Sequence, residues 1–318
     1  MRGKAVFNGD LGQAGGKLVQ RRGSASPLFP RMNRRHALKT LTFAGAAAAL
    51  APRFVQAEET TGVSSAGNSF QHSACAWCYK MPLEELAKAA KKIGLASVEL
   101  LNPDQWPMVQ KHGLACAVAN GPSQIHNGFN RRENHARFVP AFIERIEECA
   151  KAGIPNVICF SGNRGGQSDE EGLEICAEGL RKITPAAEKA GVTVIMELLN
   201  SKVNHRDYQC DRTAWGVELV KRVGSERFKL LYDIYHMQVM EGDVIRNIRE
   251  NAAYIGHYHT AGNPGRHEFE PQDVQELNYP AIMRAIKETG FRGYVGQEFV
   301  PTRNPLESLA AAVRICSV

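Results

Sequence analysis

The chain has 318 residues and a net charge of +6, but the positive charge is concentrated in its first 57 residues. That segment holds ten of the 39 basic residues and one of the 33 acidic residues, so residues 58–318 carry 29 basic and 32 acidic residues, a net charge of −3. These 261 residues lack the basic excess expected of a nucleic-acid-binding protein, and they suffice for one large hydrophobic core or two small ones.

The first 57 residues have the layout of an export leader. A basic segment, residues 33–39, precedes an uncharged stretch at 40–52 and the small-residue sequence Val55-Gln56-Ala57. The paired Arg34 and Arg35 resemble the twin-arginine export signal. An apolar stretch this short is a poor membrane span, since spanning takes roughly 20 apolar residues.

These features predict the domain organisation. We expect residues 1–57 to be a leader that is removed on export to the periplasm by the twin-arginine route, residues 58–69 to be a linker, and residues 70–318 to form one catalytic domain. Met32 lies where such a leader would begin, and a start there would leave residues 1–31 untranslated.

From residue 70 onward, apolar strand-like segments alternate with amphipathic helical segments. The predicted strands cover residues 70–77, 96–101, 114–120, 156–162, 192–199, 228–235, 254–261 and 293–299. The clearest predicted helices are Leu83–Ile93, His135–Ala152, Glu170–Ala190, Ala214–Val223, Tyr279–Thr289 and Leu306–Cys316. Glycines before the next strand, as at Gly94 and Gly191, are typical helix C-caps.

Eight such units in about 250 residues predict a (β/α)₈ TIM barrel with a single domain. The alternative is an open, doubly wound sheet, which commonly carries a glycine-rich phosphate loop. The glycine-rich sequence at 162–167 lacks both the GxGxxG spacing and a following lysine, so we interpret it as a flexible loop.

The eight cysteines do not form a disulfide framework or a zinc motif. Cys75 and Cys78 have redox-motif spacing, but no helix opens between them, so we interpret them as core or loop cysteines. No second closely spaced pair is present to complete a zinc site.

Polar side chains occur near the ends of four successive predicted strands, numbers five to eight. They are Glu197, Asp233, His259 and Glu298. In a barrel of this kind these positions surround the mouth, where the active site lies. Acidic groups buried there need a partner or a metal ion, and this oxygen-rich set suits one Mg²⁺ or Mn²⁺ ion.

The seventh strand contributes two histidines, His257 and His259. Side chains on a strand alternate, so both rings face the same way, with His259 about 6 to 7 Å nearer the mouth. We therefore expect His259 to be the ligand. His257, one layer deeper, either orients that ligand or packs in the core as a neutral imidazole.

The metal-ligand candidates, together with the sequences DIYHMQ (233–238), HTAGNPGRHE (259–268) and QEF (297–299), resemble the hydroxypyruvate isomerase family. That family belongs to the xylose-isomerase-like barrels, which include ketose 3-epimerases. The resemblance implies one divalent ion and two glutamates, here Glu197 and Glu298, that bind the ion and also move protons. It further implies substrate contacts from His236 and Arg266.

The chemistry implied is consistent with these residue types. Moving a carbonyl group between adjacent carbons passes through an enediolate, which a divalent ion stabilises while carboxylates transfer the protons. The planar, always charged Arg266 suits a substrate carboxylate, which favours a small keto acid over a neutral sugar. Glu99 on the second strand and His126 after the third also lie where they could reach the pocket.

Three classes of function remain open from the sequence. The first is the isomerase, with a ketose 3-epimerase or another sugar isomerase as its alternative. The second is a metal-dependent endonuclease on the same barrel, which the net charge of −3 disfavours. The third is a non-catalytic sugar-acid binding protein. The expected partner is a small-molecule substrate, and the sequence leaves homo-oligomerisation open.

Overall fold

The computed structural model describes residues 69–318. Eight parallel strands form one sheet in the order β2-β1-β8-β7-β6-β5-β4-β3. The strands are β1 Gln71–Cys75, β2 Ser97–Glu99, β3 Val118–Ala119, β4 Asn156–Cys159, β5 Thr193–Leu198, β6 Phe228–Asp233, β7 Ile255–Thr260 and β8 Tyr294–Gln297. Parallel bridges between Ser97 and Ala115 and between Leu101 and Ala119 bring β2 against β3, so the barrel is nearly closed.

Helices cover the outside of this barrel. Within residues 69–318 they are α1 Leu83–Ile93, α2 Trp106–Gln110, α3 Arg132–Ala152, α4 Asp169–Arg181, α5 Thr184–Ala190, α6 Thr213–Val223, α7 Ile234–Met240, α8 Val244–Asn251, α9 Tyr279–Glu288 and α10 Pro305–Cys316. The predicted barrel is therefore confirmed. The predicted left-handed caps are also present, with φ of 101° at Gly94 and 71° at Gly191.

The hydrophobic core has two parts. A small cluster fills the inside of the barrel and consists of Ala117, Val118, Ile158, Ile195 and Leu231. A much larger cluster lies between the strands and the surrounding helices. Leu231 pairs in register with both Glu197 and His257, so this apolar side chain lies beside two polar side chains on the inward faces of adjacent strands.

Most predicted strands are longer than the observed ones, and two other differences in boundaries have a clear physical cause. The helix predicted over residues 170–190 is two helices, α4 and α5, because Pro185 in the first turn of α5 has no N–H to continue the hydrogen-bond ladder of α4. The strand predicted over 228–235 ends at Asp233, whose carboxylate accepts a hydrogen bond from the His236 backbone and so starts α7. The apolar pattern of the sequence continues past Asp233 and so did not predict that the strand ends there.

Helices α2, α7 and α8 were not predicted. Each has eight residues or fewer, too short for a strong periodic pattern. No helix among residues 69–318 combines the length and the apolar character needed to cross a membrane. The predicted leader lies outside the described residues and stays a prediction.

Candidate metal centre

The four predicted ligands lie together at the carboxyl ends of their strands. Atoms from Glu197, Asp233, His259 and Glu298 all lie within 4.8 Å of one another, and all four residues are buried. The Nδ1 atom of His259 is 2.9 Å from one Glu298 oxygen and 3.5 Å from one Glu197 oxygen. The ladder explains this convergence, because Asp233 pairs in register with His259 across β6 and β7.

Asp233 serves the fold and the site with different oxygen atoms. Its Oδ1 accepts the His236 backbone N–H at 3.1 Å, which caps α7. Its Oδ2 faces Arg266 and His236 inside the site. The helix cap therefore fixes the direction in which the second oxygen points.

His259 is held by a carboxylate beneath it. Its Nε2 lies 2.8 Å from Oε1 of Glu99, and Nε2 of His257 lies at the same distance from that oxygen. All three side chains are fully buried. Burial acts to raise the pKa of Glu99, but the electrostatic effect of His257 and hydrogen bonds accepted from both histidines lower it well below its usual value. An ionised Glu99 therefore favours a proton on Nε2 of His259, which leaves the Nδ1 lone pair facing the other ligands.

This packing leaves no room at position 296. A Cβ atom on Gly296 would lie 2.5 Å from Oε1 of Glu99 and 2.9 Å from the His259 ring. A glycine on β8 is thus a condition for the close approach of Glu99 to His259.

The site has the chemistry of a cation-binding centre. Oε1 of Glu197 and Nδ1 of His259 are buried, and Nδ1 lies against carboxylate oxygens of both Glu197 and Glu298. Burial, reinforced by the charge of Glu298, raises the pKa of Glu197, and burial raises the pKa of Asp233 well above its usual range. A positive charge between these converging carboxylates and the nitrogen lone pair would stabilise them. One hard divalent cation fits the set.

Two further groups of metal-binding residue types occur among residues 69–318, and both contain His259. One is Cys75, His259 and Glu298, and the other is Glu99, His257 and His259. All three groups are parts of one centre. The described part of the chain therefore has no second, separate cluster of this kind.

Two side chains, one polar and one cationic, donate hydrogen bonds to the Glu298 carboxylate. Trp77 donates its indole N–H to Oε1 at 2.9 Å, and Arg266 donates from Nη2 to Oε2 at 2.6 Å. Burial raises the pKa of Glu298, but Arg266 and His259 hold it well below its usual range. Arg266 itself lies against the rings of Trp77 and Tyr235, at 5.1 and 5.7 Å.

A cavity of about 380 Å³ opens above this centre. Its polar wall includes Glu197, Glu298, Arg266, His205 and Asn120, and its apolar wall includes Trp77, Leu100, Ile125, Ile158, Phe160 and Leu199. A larger depression of about 660 Å³ between α9 and α10 contains none of the metal-ligand candidates.

The structure places the remaining predicted residues as follows. His236 is fully buried, with Nε2 3.6 Å from Oδ2 of Asp233. His126 does not reach the cavity: the loop that follows β3 turns at the Gln124–Asn127 bridge, so Ile125 lines the cavity while His126 is exposed. Glu99 lies beneath the site and does not line the pocket.

The cysteines of the CAWC sequence are both buried free thiols. Cys75 lies 3.6 Å from Nε2 of His259, and burial raises its pKa well above the usual value. It therefore packs beneath the site as a neutral thiol, in agreement with the core or loop interpretation.

Sequence reasoning missed three residues at this site. Trp77 lies after β1, between Cys75 and Cys78, and nothing in the sequence around it marks it as a lining residue. His205 and Asn200 follow β5, and the sequence shows only that they are polar and close to a barrel strand. Their approach to His236 depends on the fold of the loop.

Comparison with known proteins agrees with this geometry. Residues 78–316 match the family described as xylose isomerase-like TIM barrel. The chain belongs to this family. The resemblance to hydroxypyruvate isomerases is also confirmed among curated relatives.

For two of these relatives, the match covers most of the relative's own length. The putative hydroxypyruvate isomerase of Homo sapiens is 26% identical, covering 78% of this chain and 86% of the relative. The hydroxypyruvate isomerase of Escherichia coli is 31% identical, covering 69% and 88%. Among solved structures, one described as AP endonuclease, family 2, from Brucella melitensis has 25% identity and a TM-score of 0.70, covering 77% of this chain and 99% of that chain.

Proposed function

We propose that this protein is a divalent-metal-dependent isomerase that moves a carbonyl group between adjacent carbons of a small hydroxy-keto acid, of the hydroxypyruvate or tartronate semialdehyde type. The observation that carries the proposal is that Glu197 and Glu298 share one cluster of ligand atoms and both line the same cavity. The relatives named hydroxypyruvate isomerase support the isomerase class and the small keto-acid substrate.

The two glutamates are suited to moving the proton. A carboxylate of this pair removes the hydrogen from the carbon beside the carbonyl, which gives an enediolate, and a proton is returned at the neighbouring carbon. When bound, a divalent cation would supply electrostatic stabilisation of the negative charge on the substrate oxygens. Glu197, Asp233, His259 and Glu298 are the residues that would hold it.

Arg266 is suited to the substrate's carboxylate. Its guanidinium group lies at the cavity wall, and the aromatic rings of Trp77 and Tyr235 restrict its orientation. A planar, permanently charged group of this kind pairs with a carboxylate through two parallel hydrogen bonds. This residue favours an acidic substrate over a neutral ketose.

The alternatives have less support. A multi-metal endonuclease would need ligands beyond the single centre found in residues 69–318, and the net charge of −3 from residue 58 onward opposes a DNA substrate. A binding protein without activity would not need both glutamates. A ketose 3-epimerase would use the same pair, so substrate charge is the property that distinguishes it.

We also propose that the chain is exported to the periplasm. The support is the sequence of residues 33–57, with its paired arginines, uncharged stretch and small-residue site. Fractionation of cells that express the full chain, compared with an Arg34→Lys, Arg35→Lys double variant, tests this. Periplasmic accumulation that is the same for both would contradict a twin-arginine route.

The function is tested with a panel of 2-keto acids and neutral ketoses, each incubated with Mn²⁺ in heavy water. Deuterium uptake at the carbon beside the carbonyl, together with conversion to the isomer, is followed by NMR. We expect uptake with the keto acids. Uptake with the ketoses alone would favour the epimerase, and no uptake with any compound would refute both.

A further inference from the structure

The loop after β5 determines which nitrogen of His236 carries its proton. The backbone N–H of Asn200 points at Nδ1 of His236 over 3.1 Å. A backbone N–H can only donate, so Nδ1 must act as the acceptor and carries no hydrogen. The ring is then neutral, and its one proton lies on Nε2.

The side chain of Asn200 makes a second bond to the same nitrogen. Its Oδ1 already accepts the backbone N–H groups of Val203 and Asn204, at 3.1 and 2.8 Å. This fixes the orientation of the amide, since the oxygen has to face those two donors. The NH₂ group therefore faces His236, with Nδ2 2.6 Å from Nδ1.

The opposite side of the ring has a different environment. Nε2 of His236 is buried, makes no hydrogen bond and lies 3.6 Å from Oδ2 of Asp233. A buried N–H without an acceptor is costly, so it indicates a position that a ligand oxygen completes.

We infer that Asn200 is a positioning residue that holds His236 as a neutral imidazole with its proton on Nε2, directed at a substrate oxygen beside the metal ligands. His236 then donates a hydrogen bond to the oxygen on which charge develops, and it does not remove a proton from the substrate. The catalytic part of this inference rests on the proposed function, whereas the position of the proton does not.

The proton is located by long-range ¹H–¹⁵N correlation NMR on histidine-labelled protein without substrate. The His236 signals are identified by their loss in His236→Gln. We expect an unprotonated Nδ1 and a protonated Nε2. A proton on Nδ1, alone or on both nitrogens, would overturn the inference whatever the enzyme's substrate proves to be.

The Asn200→Asp variant tests the positioning role. It keeps the oxygen that accepts from Val203 and Asn204, so the loop retains its turn, but it replaces the NH₂ donor with an acceptor. The new carboxylate lies closer to Nδ1 than the backbone N–H of residue 200, which the variant keeps, and its charge outweighs that donor. We therefore expect Nδ1 to become protonated and kcat to fall about 100-fold with little change in KM, as for loss of one donor to a developing oxyanion.

Asn204→Asp is the matched control. It places the same new charge in the same loop, and its Oδ1 still accepts from the Asn200 NH₂ group and from the Tyr235 hydroxyl. We expect its His236 signals and its kcat to resemble those of the unmodified protein. An Asn200→Asp protein with a protonated Nδ1 and unchanged kcat, or with a wild-type proton position, would each refute the role given to Asn200.

Discussion

Oε1 of Glu99 lies 2.8 Å from Nε2 of His259, although the two residues are 160 positions apart in the sequence. The contact directs the other ring nitrogen, Nδ1, toward Glu197 and Glu298. A carboxylate on β2 therefore determines which ring nitrogen of a histidine on β7 faces the other candidate ligands, although Glu99 does not line the cavity itself.

Replacing Glu99 with glutamine should weaken metal binding. The change keeps the shape of the side chain but removes the charge that favours a proton on Nε2 of His259. Loss of such a partner lowers metal affinity by about 10- to 100-fold. Calorimetric titration with Mn²⁺ measures this. Glu268→Gln, another buried carboxylate that does not contact the four ligands, is the control, and an equal loss of affinity in both variants would contradict the orienting role.

Glu197→Gln and Glu298→Gln should each abolish hydrogen exchange between substrate and heavy water. General acid–base groups contribute about 100- to 10,000-fold to rate, so residual exchange should fall by at least that range. Metal content is measured alongside, because both residues are also ligand candidates. Exchange that persists in both metal-loaded variants would rule out their roles in proton transfer.

Arg266→Ala should raise KM for keto acids far more than for neutral ketoses. The reason is loss of the one cavity-lining cation among the described residues, which pairs with carboxylates through parallel hydrogen bonds. Arg266→Lys, which keeps the charge without the planar fork, should fall between the two. Steady-state kinetics on both substrate classes checks this, and equal changes for acidic and neutral substrates would favour an epimerase.

Trp77→Phe should lower kcat by about 10-fold, because it removes a hydrogen bond to a charged carboxylate. The indole also provides an optical signal: Trp77 is 50% exposed, whereas Trp106 and Trp215 are buried. Quenching of tryptophan emission by Mn²⁺ should therefore largely disappear in Trp77→Phe and persist in Trp215→Phe. The same quenching in both variants would show that Trp77 does not lie beside the bound ion.

Glu268→Gln should make stability less dependent on pH in acid. Although burial acts against it, hydrogen bonds from backbone N–H groups, Thr302 and Ser308 lower the pKa of Glu268 to about 2. The pKa of Glu268 in the folded protein lies below the ordinary glutamate value of 4.5, so its contribution to stability is complete above about pH 4.5 and is lost as pH falls toward 2.

Urea denaturation of both proteins across this pH range measures the effect. Glu268→Gln should be less stable than the unmodified protein at pH 7, and the difference should disappear near pH 2. A difference that stays constant with pH would mean that the carboxylate stabilises the loops only through its packing.

The sequence by itself determined the barrel, the inward direction of its ligand residues and the separation of His257 from His259, since these follow from local periodicity and from the two-residue repeat of a strand. It also indicated the four ligands, because each ends a strand and parallel strands end at one face. Only the tertiary structure decided that Trp77 meets Glu298, 221 positions away, and that Ile125 instead of His126 turns toward the cavity. It likewise decided that Asn200 fixes His236. Such contacts depend on how the loops fold over the barrel, because packing and hydrogen bonding between distant segments produce no periodic pattern in the sequence.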